Sequence, residues 1–594
     1  MSPPDNYDEL HDRVVSHLNH IYKDIDADSL AHRLLTTMGL TERTNIPIQH
    51  KSHWGEEDIA IITYGDTFIR EHEQPLDTLY KFISEHLHDI VNIVHILPFF
   101  PFSSDAGFAV MEYTQVNEAL GEWEDIEHIA SEFKLMADLV INHCSARSRW
   151  FSQFKEGKEP GKNYFITVAP DTDLSAVVRP RTNPLLREIH APEGPVYVWC
   201  TFGHDQPDLN FTNTDVLVEF VHIIHNYLEH GIKIFRLDAI AFLWKEIGTK
   251  CINLPQTHEI VRLLRTLIEH HTPDALIITE TNIPNRENLE YFGNANEAHI
   301  VYNFSLPPLL LYTLLTGNCH YLKEWIISMP HVIMGTTYLN FIASHDGIGL
   351  RPAEGLLDEE EILEMTSTME DFGGNISWRA LTDDTNHPYE INISLYDALQ
   401  TTIPCCACGV REDEWQEQRF LCAHAIMLAL QGIPAFYIHS LFGTRNDYEK
   451  LRDTSNNRAI NRHNWNMDEL MELLNDSTHH ARIYHALRRL IVIRREQAAF
   501  HPNAAQTVLH LGDEIFAFWR EDHSTKQSIF ALNNVSDQPQ EITVADINLT
   551  PKGKWRDLIG HVEVDSEDNV LVLQPYQCVW LTNVWKSKSS NFGK

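Results

Sequence analysis

Arg236 and Asp238 lie two residues apart in the apolar stretch GIKIFRLDAIAFLW, which begins at Gly231. Residues at i and i+2 of a strand face the same side. This segment therefore aims a guanidinium and a carboxylate into one space, where unpaired charge is costly. Three more short apolar runs end in residues of the same kind. Asp138, Asn142 and His143 close ADLVINH, Glu280 closes IITE, and His345 and Asp346 follow FIAS. Taken singly, each reads more simply as a cap, a turn residue or a satisfied structural group. Four such groups at four strand ends point to one shared site.

Two carboxylates from adjacent strands, Asp238 and Glu280, fit the pair that glycosyl transfer needs. A separation of roughly 5–5.5 Å corresponds to retention through double displacement. Arg236, on the face of Asp238, is expected to keep that carboxylate ionised and nucleophilic. The more apolar surroundings of Glu280 in LIITE favour a protonated general acid. Metal chemistry competes for a cluster of Asp, His and Glu, but no H-E-x-x-H or similar ligand spacing occurs, and no metal is expected.

Positioning these groups requires strands whose ends converge. DIAIITY, NIVHILP, LMADLVIN, IKIFRLDA, ALIITE, HIVYNF, YLNFIAS and IPAFYI read as eight strands, each followed by polar or helical sequence. Eight strand-then-helix units predict an α/β fold, a (β/α)8 TIM barrel whose active face is the C-terminal end of the strands. About ninety residues separate the third strand from the fourth, and about ninety the seventh from the eighth, too many for simple connections. These gaps predict inserted lobes after strands 3 and 7, at about 145–230 and 350–425. Residues 1–55 read as a helical extension packed against the barrel, which spans 56–500. Short strands in AQTVLHLG, EIFAFWRE, QSIFALNNVS and NVLVLQPYQCVWLT predict a C-terminal antiparallel β domain over 501–594.

Composition narrows the partners. The 594 residues carry 46 Lys and Arg against 84 Asp and Glu, a formal charge of -38, which repels nucleic acid and anionic membranes. The acids are dispersed, and their densest run, LLDEEEILE from Leu356, reads as a helix rather than a partner-binding tail. Nine cysteines without framework spacing imply reduced thiols in a cytoplasm. Cys405, Cys406 and Cys408 lie too close together for the paired spacing of a zinc site and read as a loop of free thiols. The start MSPPDNYDEL lacks the basic and apolar regions of a signal peptide. The longest apolar stretch is interrupted by Gln431 and Pro434, short of a membrane span.

ADLVINH, IFRLDA, IITE and FIASHD, in that order, resemble the four signature regions of the α-amylase superfamily, and the resemblance covers most of the chain. It implies Asp238 as nucleophile, Glu280 as acid/base, and Asp346 as a third carboxylate gripping sugar hydroxyls next to the anomeric carbon. It also implies that His143 and His345 hydrogen-bond the same glucose. HILPFFPFSSDAGFAVMEYTQV, VVRPRTNPLL and SNNRAINRHNW resemble sucrose phosphorylase and its relatives. HWGEEDIAIITYGDTF, ITETNIPNRENLEYFGNANEAHIVYNFSLPPL and HSLFGTRNDYEK are similar to the glucosylglycerate phosphorylases of that branch.

The branch implies that Asp105 and Arg458 clamp the far hydroxyls of glucose, closing the pocket around one glucosyl unit. It places the loops near Arg179–Arg181, Asp205–Gln206 and Gly347–Gly355 against phosphate and acceptor. Arg179 and Arg181 are then the candidate phosphate contacts, with Gln206 and Arg236 among the substrate-binding residues. The activity implied is reversible phosphorolysis of 2-O-α-D-glucosylglycerate to α-D-glucose 1-phosphate and D-glycerate, with phosphate as co-substrate and no cofactor. Alternatives are phosphorolysis of glucosylglycerol, sucrose or sucrose 6-phosphate, an α-glucosidase or transglucosidase, and a non-catalytic sugar-binding barrel. The expected partners are a small sugar and inorganic phosphate, with a homodimer as the assembly to test.

Overall fold

The computed structural model describes residues 6–48, 51–181, 183–380, 386–547, 555–564 and 570–584. Residues 1–5 and 585–594 of the expected terminal segments lie outside that description. Eight strands close a parallel barrel: β1 Ala60–Thr63, β2 Ile93–Ile96, β3 Lys134–Val140, β4 Ile234–Asp238, β5 Leu276–Thr279, β6 Ile300–Tyr302, β7 Thr337–Asn340 and β8 Ile433–Tyr437. All eight runs read from the sequence are barrel strands. Nearly every residue in them is buried, which is why they are near-continuous apolar runs without alternation. The register of β3 against β4 sets Asp138 beside Arg236 and Val140 beside Asp238.

The N-terminal helices Tyr7–Ile21 and Ala27–Thr37 pack on the helices Pro255–His271 and Thr214–Glu229 respectively. Leu10, Val14, Leu18 and Ile21 form the buried stripe of the first, at helical spacing. His17 Nδ1 lies 2.6 Å from Glu259 Oε1, and Tyr22 donates to the Phe211 carbonyl at 2.9 Å. These contacts tie the extension to the barrel's outer layer.

After β3 the chain builds a three-stranded antiparallel sheet from Thr167–Val168, Gly194–Trp199 and Leu186–Ala191, with Gly194–Trp199 central. The helix Thr214–Glu229 then leads back to β4. After β7, Ile348–Gly349 pairs with Asn386–Asn392, which pairs in turn with Asn375–Ala380. The acidic run from Leu356 does form a helix, Glu359–Asp371, opened by a capping box of Asp358 and Glu361. Cys405 and Cys406 lie on a short helix, Ile403–Ala407, rather than in an open loop. Thr402 Oγ1 starts it by accepting the Cys405 N–H.

The C-terminal domain is a six-stranded sheet with a separate two-stranded ribbon. One difference from the sequence reading is instructive. NVLVLQPYQCVWLT is two strands, Val570–Leu573 in the ribbon and Cys578–Thr582 in the main sheet. The break falls at Tyr576, whose φ of 54° redirects the chain.

Candidate active site

The charges of β3 and β4 form a connected chain at the barrel mouth. Arg236 Nη1 donates to Asp238 Oδ1 at 3.0 Å and also to Asp138 Oδ1. Asp138 receives His95 Nε2 at 2.7 Å on its other oxygen. Arg236 further sits over the rings of Phe108 and Tyr302, at 5.7 and 5.6 Å. Its guanidinium is thus shared rather than dedicated to Asp238. Burial works against the charge of Asp138, yet Arg236 and His95 hold that carboxyl below its ordinary range. At Asp238 burial dominates, and the charges of Glu280, Asp138 and Asp346 add to it. Against Arg236 alone they push the Asp238 carboxyl well up.

Glu280 follows β5 directly. Its Oε2 accepts the backbone N–H of Ala239 at 3.0 Å, the residue after Asp238. Ala239 adopts the left-handed conformation, φ 52° and ψ 28°, which costs an ordinary L-residue about 1–2 kcal/mol. That turn aims the N–H at Glu280 and links the two carboxylates through one residue. Burial raises Glu280 as well, with the charge of Asp346 adding to it and Arg236 opposing. Two carboxyls both pushed upward in one pocket titrate as a pair rather than singly.

Asp346 behaves in the opposite way. Arg458 Nη1 lies 2.5 Å from its Oδ1, His345 Nε2 3.5 Å and Arg462 Nη2 3.9 Å. Burial opposes the charge, but Arg458, His345, Arg462 and Arg236 together draw the Asp346 carboxyl far below the usual range. Arg458 is itself fixed by Glu390 through two hydrogen bonds, 2.9 Å from Nε and 2.6 Å from Nη2. Such a two-point guanidinium–carboxylate grip fixes direction as well as charge. His345 stacks on Phe108 with ring centroids 5.2 Å apart. Burial pushes its pKa down to about 3, which leaves a neutral imidazole.

On the other side of the mouth, Asp105 sits in a turn with φ 54° and receives Gln206 Nε2 at 3.1 Å. Asp205 anchors that turn by accepting from Ser103 and Ser104, each at 2.6 Å. Burial opposes the charge of Asp105, while Arg458, Arg181 and Arg462 hold its carboxyl low. His143 Nε2 lies 3.1 Å from the Phe108 carbonyl, and burial keeps the ring neutral. Behind His143, Asn142 donates to Asp208, and Lys245 reaches Asp208 at 2.6 Å and Asn142 at 2.7 Å.

One cavity is lined by Asp105, His143, Arg181, Gln206, Asp238, Glu280, His345, Asp346 and Arg458. Nine of the residues singled out from the sequence therefore meet in a single pocket. Arg236 stands beneath its floor, against Asp238. Arg179 is not brought to the wall: its side chain is exposed and donates to the Asn183 carbonyl. Arg181 does line the cavity, its guanidinium 5.5 Å from the ring centre of Tyr389. Sequence reasoning missed Phe108, Phe202, Asn282 and Tyr389 in the wall and Glu390 behind Arg458. Asn282, two residues after Glu280 in ETN, carried a readable signal. Tyr389 and Glu390 carried none, because only the pairing of Asn386–Asn392 with Ile348–Gly349 brings them in.

An eight-stranded parallel barrel with three carboxylates at the strand ends, two of them pushed upward, defines a glycoside-processing enzyme of the α-amylase type. Residues 84–347 match the α-amylase catalytic domain, and residues 506–580 match the C-terminal domain of maltogenic amylase. The glucosylglycerate phosphorylase of Spirochaeta thermophila is 41% identical over 90% of this chain and 91% of its own length. That of Escherichia coli is 39% identical over 96% and 99%. Among solved structures, sucrose 6F-phosphate phosphorylase from Thermoanaerobacter thermosaccharolyticum superposes with a TM-score of 0.69 and 26% identity, over 81% of this chain and 94% of that one. The chain belongs to the glucosylglycerate phosphorylase family. Among the described residues, no helix is long and apolar enough to cross a membrane.

Proposed function

We propose that the chain is a retaining phosphorylase of the cytoplasm. It converts 2-O-α-D-glucosylglycerate and inorganic phosphate reversibly to α-D-glucose 1-phosphate and D-glycerate, without metal or organic cofactor. The observation that carries this reading is the near-full-length similarity to two glucosylglycerate phosphorylases, at 41% and 39% identity. The pocket chemistry supports it. Double displacement needs one proton on the carboxyl pair, with the nucleophile ionised and the acid protonated. Burial holds a proton on the pair and raises Asp238 the more strongly. The charged hydrogen bond from Arg236 to Asp238 is nevertheless stronger than the neutral Ala239 N–H on Glu280, which favours charge on Asp238 and the proton on Glu280.

Asp238 then attacks the anomeric carbon as the bond to the glycerate oxygen breaks, and that oxygen takes the Glu280 proton. The product is a β-glucosyl ester on Asp238. A phosphate oxygen attacks the same carbon from the opposite face and displaces the Asp238 carboxylate, Glu280 recovers a proton from the incoming phosphate, and α-glucose 1-phosphate leaves. In this reading Asp346, His143 and His345 hold the reacting glucose, and Asp105 and Arg458 hold its far end, so that one glucosyl unit fills the pocket. Arg181 meets phosphate.

The test supplies the purified enzyme with phosphate and, separately, glucosylglycerate, glucosylglycerol, sucrose or sucrose 6-phosphate, and measures glucose 1-phosphate. Glucosylglycerate is expected to be turned over fastest. Free glucose at the same rate without phosphate would identify a hydrolase instead, and a faster rate on another donor would reassign the leaving group.

A further inference from the structure

Arg351 stands apart from the other arginines near the pocket. Arg236 and Arg458 each bind two carboxylates. Arg351 is half-buried and its Nε, like that of Arg236, is buried without a hydrogen-bond partner; unlike Arg236, it makes no ion pair among the described residues. Two glutamates lie within its electrostatic reach, Glu354 and Glu287, but both are committed elsewhere. Glu354 accepts from Arg379, and Glu287 accepts from Asn253 at 2.7 Å. A chain with 84 acidic residues has no shortage of carboxylates, so an unpaired guanidinium held in this way calls for an anion from outside.

Arg351 does not itself line the cavity; its neighbours put it behind the wall that carries Tyr389. Arg351 opens the short turn Arg351–Ala353, just after the strand Ile348–Gly349. The intervening Leu350 donates its N–H to the Tyr389 carbonyl at 3.0 Å, which fixes Arg351 next to a residue of the pocket wall. On the inner side of the same strand, a Cβ on Gly349 would come within 2.7 Å of Asn282 Nδ2. A side chain there would push Asn282 aside; Asn282 lines the cavity close to Glu280 and has a buried Oδ1 without a partner. Burial raises the Tyr389 hydroxyl pKa, and Arg181, Arg458 and Arg351 all act to lower it. Glu390 acts the other way, so the cations outnumber the carboxylate acting on that hydroxyl.

We propose that Arg351 is the contact for the carboxylate of the acceptor. It selects a 2-hydroxycarboxylate over a neutral polyol, while Arg181 serves phosphate. The proposal rests on the reading of the enzyme as a glucosylglycerate phosphorylase and assigns the residue that distinguishes glycerate from glycerol. A guanidinium pairs with a carboxylate through two parallel N–H donors, and a site built for that pair rejects the analogue that leaves it empty.

The test uses the full-length enzyme with α-glucose 1-phosphate as donor. It compares transfer to D-glycerate with transfer to glycerol and to water, in wild type, Arg351→Gln and Arg351→Lys, with Tm as a check on folding. Arg351→Gln is expected to raise the glycerate KM at least tenfold, to leave transfer to water and glycerol within about twofold, and to leave the phosphate KM within about threefold. Arg351→Lys is expected to recover part of the glycerate loss. A wild type that transfers nothing to glycerate overturns the parent reading and this proposal together. A wild type that uses glycerate, with an Arg351→Gln variant of unchanged glycerate KM or with equal losses on all three acceptors, overturns the assignment of Arg351 alone.

Discussion

Around Asp238 and Asp346 each cation already has carboxylates of its own: Arg236 is shared by Asp138 and Asp238, and Arg458 by Asp346 and Glu390. Around Tyr389, a short way along the same wall, Arg181 lies against an aromatic ring and Arg351 against no carboxylate at all among the described residues. In the inner half of the pocket the charges are already paired, although Arg236 Nε, His345 Nδ1 and Arg462 Nη2 are buried there without a hydrogen-bond partner. The donors and acceptors of that half are fixed in advance, so little reorganisation remains for the reaction itself. The outer half is complete only when an anion enters. In a chain of charge -38, concentrating unpaired cations there also lowers the barrier to an approaching dianion.

The comparison breaks most sharply at Asp238, the proposed nucleophile. Asp238→Asn leaves a side chain of the same shape that cannot form the glucosyl ester, and kcat/KM should fall at least about 10³-fold. Far-UV circular dichroism and Tm should show a folded protein. A variant retaining more than a tenth of the wild-type rate would move the nucleophile elsewhere.

Glu280 sharpens the comparison because its contribution depends on what leaves. Glu280→Gln should reduce turnover of glucosylglycerate by about 10²-fold or more, since the departing alkoxide needs a proton. Turnover of α-glucosyl fluoride should fall far less. The pH profile follows from the raised pKa of Glu280. A carboxyl with a raised pKa keeps its proton to higher pH than usual, so the acid form needed for glucosylglycerate is lost only as pH climbs through that raised value. The wild-type rate should decline on that limb, and with glucosyl fluoride as donor the limb should be weak or absent. Equal profiles for both donors would contradict the role of Glu280.

Glu390 tests whether the inner half depends on its second layer. It is buried, holds Arg458 at two points and, among the described residues, touches no other cation within ion-pair distance. Glu390→Gln keeps an acceptor but removes the charge, leaving Asp346 as the only carboxylate among the described residues that holds Arg458. We expect kcat/KM for the glucoside to fall about thirtyfold, near 2 kcal/mol, mostly through KM. If the phosphate KM rises by the same factor and the glucoside KM does not, Glu390 belongs to the outer half.

Much of the inner half was legible in the sequence, for physical reasons. A barrel strand is buried on both faces, so it is written as an apolar run, and a polar residue at its C-terminal end stands out against that background. Asp238, Glu280, Asp346 and His143 were found in this way, without any knowledge of register. The sharing of Arg236 was not legible, because it depends on Asp138 standing beside Arg236 in the β3–β4 ladder. Glu390 and Tyr389 were hidden for a related reason. They lie about forty residues beyond Asp346, in an insertion whose place is set by a two-residue strand, Ile348–Gly349, and nothing in the spacing announces that pairing. Tyr576, where one apparent strand divides in two, has a left-handed backbone that a tyrosine side chain does nothing to advertise.

The smallest expected effects concern the two arginines of VVRPRT, which the sequence treats alike and the fold separates. Arg181 faces the cavity over Tyr389, whereas Arg179 is exposed and turned back on its own loop at Asn183. Arg181→Ala should raise the phosphate KM about tenfold, an effect near 1.4 kcal/mol, and should increase the fraction of glucosyl enzyme lost to water. Its effect on glycerate in the reverse direction should be smaller than that of Arg351→Gln. Arg179→Ala should change the phosphate KM by less than about twofold, as expected for a solvated side chain away from the pocket wall. Initial-rate kinetics at varied phosphate, with glucose and glucose 1-phosphate measured together, decide the matter. If the two variants were equally impaired, the loop would bind phosphate as a unit. An unaffected Arg181→Ala would shift the whole anion site toward Arg351.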